Sequence, residues 1–145
     1  MACKLANVPR TTKEIAEAFG ITANDISRTT VLFREVIIGK ESGKDVVEKV
    51  QITRPCDVLP RLINDIELDY ETKKKARIQC TKLAKQLESC IELMSKTPTS
   101  IAAVIIYRIL GDSVTKKDIC AACKISVPTM NKIEVLVKEF LETKR

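Results

Sequence analysis

The sequence predicts an all-α fold, and three observations carry that expectation. Apolar Ala, Ile, Val and Leu recur at spacings of three and four, the period of a helix face. Two-residue hairpin signals are absent, and Gly is limited to Gly20, Gly39, Gly43 and Gly111. The apolar run over 101–110 is long for a strand.

Helices are expected over 12–19, 23–37, 57–67, 71–94, 98–110, 116–122 and 127–142. The first amides of a helix lack internal partners, so a hydroxyl just upstream marks a start. Thr11 with Glu14 reads as a capping box before 12–19, and Gly20 suits the stop after it. Residues 39–55 are Gly-punctuated and charged and read as a linker, although Val46, Val47, Val50 and Ile52 could pack. The helix over 71–94 carries Lys73, Lys74, Lys75, Arg77, Lys82 and Lys85, with Ile78, Leu83, Leu87 and Ile91 available for a core stripe. Thr97 and Pro98 fit an N-cap and N1 pair. The helix over 98–110 is apolar nearly all round, which marks a buried central helix, and Gly111 suits its stop. Thr115 with Asp118 repeats the capping box in weaker form, and Ser126 precedes Pro128 in a first turn that tolerates proline.

Composition narrows function before any motif does. The chain holds no His and no Trp, which removes Ser-His and Cys-His nucleophilic dyads and His-bearing zinc sites. No run approaches the roughly 18 uncharged apolar residues of a membrane helix, and residues 1–20 lack a signal-peptide core. The six cysteines are then expected to be reduced, in a cytosolic or nuclear compartment. Cys120-Ala-Ala-Cys123 has redox or zinc spacing, but no second Cys pair accompanies it, so a core role is expected and neither metal nor cofactor. The net charge of +6, with Lys and Arg in excess over 71–145, is compatible with a polyanionic partner and with ordinary solvated helix faces.

Shifting the sequence by 104 positions aligns residues 11–37 with 115–141 without a gap. Ile15 meets Ile119, Ile21 meets Ile125, Thr22 meets Ser126, Arg28 meets Lys132, Leu32 meets Leu136 and Glu35 meets Glu139. Each copy reads as a short helix, a tight turn, a hydroxyl cap and a longer amphipathic helix: a helix-turn-helix unit in two similar domains. That geometry carries the start of the second helix into a major groove. In the second copy the candidates are Val127, Pro128, Thr129, Asn131 and Lys132, beside Lys124. Asn suits an adenine edge and Lys suits guanine acceptors. In the first copy Arg28 lies among Ala23, Asn24, Asp25 and Ser27, and Asp25 would repel phosphate. Arg10, Lys13 and the triplet Lys73, Lys74, Lys75 complete the DNA-binding candidates, the triplet as phosphate contacts or simply as a solvated face.

The stretch Asn7-Val8-Pro9-Arg10-Thr11, followed by Lys13-Glu14-Ile15, resembles the G-V-P-R-T-x-K-E-I signature in the first cyclin-like repeat of transcription factor IIB. Residues 97–110 (TPTSIAAVIIYRIL) resemble its second-repeat S-P-x-x-x-A-A-A-x-I-Y helix, and residues 116–132 resemble the Q-K-E-I-x-x-x-A-G-V-x-x-V-T-I-R segment. The resemblance implies a cyclin-like five-helix repeat preceded by the last two helices of a first repeat. Its divisions are 1–38, a linker at 39–55, and 56–145 with the second helix-turn-helix at 115–142. It implies a non-enzymatic factor that docks on a TATA-box-binding protein, contacts promoter DNA on either side of the TATA element, and helps recruit RNA polymerase. By position, Pro128, Thr129 and Asn131 would read the upstream element. The family's Arg stands here as Asn131 and its Val as Pro128, which puts sequence preference in doubt. The family's zinc ribbon and the first three helices of repeat one are expected to be missing, which makes the chain a fragment or a truncated relative with a weaker polymerase contact. The compartment expected is nuclear in a cellular eukaryote and otherwise cytoplasmic, for an archaeal or viral chain. Two other readings remain open: a cyclin-like protein-interaction module of the kinase-regulator type, and a small dimeric helix-turn-helix repressor.

Overall fold

The computed structural model describes residues 3, 10–38 and 53–143. Most of the expected linker, 39–52, and the signature residues 7–9 lie outside the described residues. Among those described there is no strand, and eight helices follow one another: α1 Thr12–Phe19, α2 Ala23–Ile38, α3 Pro55–Asn64, α4 Tyr70–Leu87, α5 Ile91–Met94, α6 Pro98–Leu110, α7 Lys116–Ala122 and α8 Val127–Thr143. The chain forms two compact units, 1–53 and 54–145. None of the described helices is long and apolar enough to cross a membrane.

Among the described residues of the first unit, α1 and α2 form a helical corner. Thr11 caps α1 as a reciprocal box: its amide donates to Glu14 Oε2 at 2.8 Å, and the Glu14 amide donates to Thr11 Oγ1 at 3.2 Å. Gly20 then takes a left-handed φ of 64°, and the Ile21 amide donates back to the Ala16 carbonyl at 3.0 Å, closing the helix end. Only Ala16 is buried among the described side chains of α1 and α2, whereas Phe19, Val31, Leu32 and Val36 are exposed.

The second unit is built around α6. Ile101, Ala102, Ala103, Val104, Ile105 and Ile106 are all buried, and α3, α4, α7 and α8 pack on this helix. At roughly 25 cal/mol per Å² of apolar surface removed from water, a helix apolar on every side is stable only when surrounded in this way. The core stripe of α4 differs from the expected one: Ala76, Cys80, Ala84 and Leu87 are buried, Leu83 is half-buried, and Ile78 stays exposed. Small residues at helical spacing form the face that meets α3 and α6.

The helix expected over 71–94 is interrupted. The α4 helix ends at Leu87, the Ser89 hydroxyl donates to the Gln86 carbonyl at 3.1 Å, and Cys90 is extended at φ −91° and ψ 104°. A continuous helix would turn Ile91 and Met94 to the face of Leu87. The break instead buries Cys90 and Leu93, and leaves Ile91 87% exposed. The helix expected at 57–67 runs over Pro55–Asn64, because Pro55 is a competent first helical residue and the Asp57 carboxylate accepts from the Arg54 amide at 2.7 Å. Gly111 ends α6 in right-handed geometry; a Cβ there would lie 2.7 Å from the Tyr107 carbonyl oxygen.

Candidate nucleic-acid interface

The α7–α8 corner repeats the local geometry of α1–α2. Thr115 Oγ1 accepts from the Asp118 amide at 3.3 Å, which starts α7. Lys124, the counterpart of Gly20, adopts φ 52°, the one left-handed non-glycine among the described residues. The Ile125 amide donates to the Cys120 carbonyl at 3.0 Å, as Ile21 does to Ala16. Two unlike sequences thus close their helix ends with the same hydrogen bond. Beyond the turn, Ser126 Oγ accepts from the Thr129 amide at 3.3 Å and lies 2.8 Å from the Thr129 hydroxyl. This caps α8.

Along α8 the burial alternates at helical spacing. Met130, Ile133 and Val137 are buried, whereas Pro128, Thr129, Asn131 and Lys132 are exposed at the helix start, with exposed Lys124 just before them. The candidate reading residues of the second copy therefore share one end of one helix. Pro128 fits there because first-turn amides have no intrahelical acceptor to lose.

A network that no sequence motif announces lies behind this surface. The Lys116 ammonium donates to Asn131 Oδ1 at 3.1 Å, pairs with Glu134 Oε2 at 2.6 Å, and sits 4.7 Å from the centroid of the Tyr107 ring. The Glu134 hydrogen bond holds the Lys116 pKa above its ordinary value. Partners fifteen and eighteen residues apart on different helices leave no local spacing signal. The repeat does carry one: Lys116, Asn131 and Glu134 align with Thr12, Ser27 and Thr30, so charges appear in the second copy where the first has only hydroxyls.

The first corner differs at its cap. Asp25 Oδ2 accepts from the Thr22 hydroxyl at 2.6 Å and the Thr22 amide at 3.1 Å, and these bonds lower its pKa. The carboxylate expected to repel phosphate thus completes the capping box in which Thr22 Oγ1 accepts from the Asp25 amide. Arg10, Lys13 and Arg28 are exposed in this unit. In the second unit the lysine triplet divides. Lys73 is half-buried and donates to the Asn64 carbonyl at 2.9 Å, while Arg77 donates to Asn64 Oδ1, so both close the end of α3. Lys74 and Lys75 are exposed. They stand on α4, which packs against α3 and α6, and not on the elements of the α7–α8 corner.

Cys120 and Cys123 are buried, and the Cys120 thiol lies 3.3 Å from Met130 Sδ. Burial raises the Cys120 pKa and pushes Cys123 up to about 12, so both thiols are protonated core groups near neutral pH. Among the described residues no cluster of Cys, Asp or Glu could hold a metal ion. A groove of about 700 Å³ lies elsewhere, lined by Leu83, Arg108, Ile109, Lys138, Phe140 and Leu141, and it includes none of the candidate reading residues.

No family model matches the chain, and no solved structure does. Curated relatives do. The chain is 31% identical over 132 residues to a transcription initiation factor IIB of Archaeoglobus fulgidus, a match covering 89% of this chain and 36% of the relative. It is 32% identical over 134 residues to the same-named protein of Methanopyrus kandleri, covering 89% and 39%. It is 28% identical over 132 residues to transcription initiation factor IIB 3 of Halobacterium salinarum, covering 89% and 38%. The chain spans under two fifths of the length of these relatives. Similarity over 89% of a chain whose described residues form helices and no strand identifies it as a transcription-factor-IIB-like core domain.

Proposed function

We propose that this chain serves transcription initiation by docking on a TATA-box-binding protein bound to promoter DNA, and that α8 reads duplex DNA flanking the TATA element. The role is assembly, without catalysis, and recruitment of RNA polymerase is its consequence. The observation that carries the reading is the start of α8: Pro128, Thr129, Asn131 and Lys132 are exposed together while Met130, Ile133 and Val137 anchor the helix from behind. Kinship with proteins named as initiation factors supports it, as does the net charge of +6, which favours a polyanion. In such a complex Lys124 and Lys132 would meet phosphate or base acceptors near the α8 start. Lys74 and Lys75, with Arg10, Lys13 and Arg28, would add contacts that do not depend on sequence.

Electrophoretic mobility on a TATA duplex, with and without the TATA-box-binding protein, tests this directly. A supershift that requires both proteins is expected. A shift by the chain alone would favour an independent repressor, and no shift in either case would refute the proposal. One observation favours a second reading, a cyclin-like protein-interaction module: the first unit exposes Phe19 at 76%, Leu32 at 63% and Val36 at 62%, more apolar surface than a bare corner needs to show to water.

A further inference from the structure

We propose that Lys116 is a positioning residue that makes Asn131 a reader of base acceptors, favouring guanine over adenine. The inference rests on the reading of α8 as the groove-facing helix. An Asn that pairs with adenine accepts at Oδ1 from the N6 amino group and donates from Nδ2 to N7. Here Oδ1 already accepts from the Lys116 ammonium at 3.1 Å. The oxygen keeps a second lone pair, but an adenine amino group brought to it would set its own N–H dipoles beside a full positive charge. Nδ2 remains as the donor not held by Lys116. Guanine meets that donor with O6 and N7, and brings no amino group to the major-groove edge.

Lys116 is well placed to hold this orientation. An ammonium has three N–H groups, and three partners surround this one: Asn131 on α8, Glu134 one turn further along α8, and the Tyr107 ring on α6. Two hydrogen bonds and the ring hold the ammonium against α8 and α6. The Lys116 and Glu134 side chains are only 27% and 30% exposed, so the pair is screened less than one on an open surface. In the first copy the corresponding Thr12, Ser27 and Thr30 are uncharged, so the device belongs to the second corner alone.

The full chain and its K116M, K116R, E134Q and N131A variants test the proposal with two readouts, after thermal melts identify the folded ones. Without DNA, nitrogen-15 relaxation of the Asn131 side-chain amide should report an ordered group in the parent and K116R and a mobile one in K116M. Equal order in K116M would overturn the positioning role whether or not DNA is bound. With DNA, competition gel shifts use TATA duplexes carrying the TATA-box-binding protein and varied flanking base pairs. At one position the parent and K116R should favour G over A by about fivefold or more, while K116M and E134Q narrow the ratio to about twofold and N131A removes it. If K116M does not fold, E134Q carries both readouts. A complex whose parent prefers A, or whose G-to-A ratio survives loss of Lys116, overturns the proposal and leaves the docking function standing. Absence of any complex overturns both.

Discussion

Replacing Lys124 by glycine is expected to stabilise the second unit, and the size of the effect follows from one torsion angle. Lys124 ends the α7 corner at φ 52°. Left-handed backbone costs an L-residue about 1–2 kcal/mol, a cost that glycine escapes. Glycine loses more freedom on folding, and this returns about 0.4–1 kcal/mol to the unfolded state. A net gain of about 0.5–1 kcal/mol remains, which for a unit of this size corresponds to a rise in Tm of about 2–8 °C. Circular dichroism melts at 222 nm would measure it, with Lys124→Ala as the control that removes the charge and keeps the strained torsion. The alanine variant should stay within about 0.5 kcal/mol of the parent. If glycine gives no gain, or alanine gains as much, the left-handed turn is not the source of strain. At Gly20, whose φ is 64°, the sign reverses: a Cβ there would meet nothing within 4 Å, so Gly20→Ala should destabilise the first unit by about 1 kcal/mol through conformation alone.

Two further predictions concern charge. Burial pushes the Cys80 and Cys123 thiols up to about 12 from an ordinary 9.0, so the unfolded chain ionises first. Stability is therefore full below pH 9 and falls as pH rises from there towards about 12, by at most about 1.4 kcal/mol per pH unit per thiol; urea titrations of the parent and Cys80→Ala should show the steeper fall in the parent. Neutralising Lys74 and Lys75 should weaken the promoter complex similarly for every flanking sequence and lower its salt dependence by about 0.9 for each phosphate that no longer meets a cation, whereas Asn131→Ala should change preference among sequences; gel shifts across a salt series would expose the reverse pattern.

Much of this architecture is legible in the sequence because its cues are local. Thr11 with Glu14 and Thr115 with Asp118 are three residues apart; the reciprocal pair of bonds is present at the first, and at the second the Asp118 amide donates to Thr115 Oγ1. The helix over 98–110 is apolar nearly all round, and only a central position satisfies it. The break at Glu88–Cys90 was hidden because two apolar phases overlap there, Leu87-Ile91-Met94 and Leu87-Cys90-Leu93. Packing on the rest of the unit chooses the second. The burial of Ala76, Cys80 and Ala84 instead of Ile78 has the same origin: periodicity nominates more than one face, and neighbouring helices decide which is covered. The partners of Lys116 could not be read from spacing at all, since they lie across helix boundaries.

The two corners also show how one local fold can hold two different helix starts. Partial positive charge gathers at a helix N-terminus, where amides lack partners. In the first corner that charge faces a carboxylate, since Asp25 sits three residues after Thr22 and accepts from both its amide and its hydroxyl. In the second corner the equivalent of Asp25 is Thr129, a neutral group that shares its hydroxyl with Ser126, so the helix start is capped without being neutralised. Lys132 then adds to the field, while Glu134 pairs with Lys116 on the inner side of the corner. A carboxylate thus stands at one helix start and only hydroxyls at the other. The asymmetry needs no difference in backbone, only the exchange of Asp for Thr at one repeat position, and it is the reason the proposed reading of DNA is placed on the second corner.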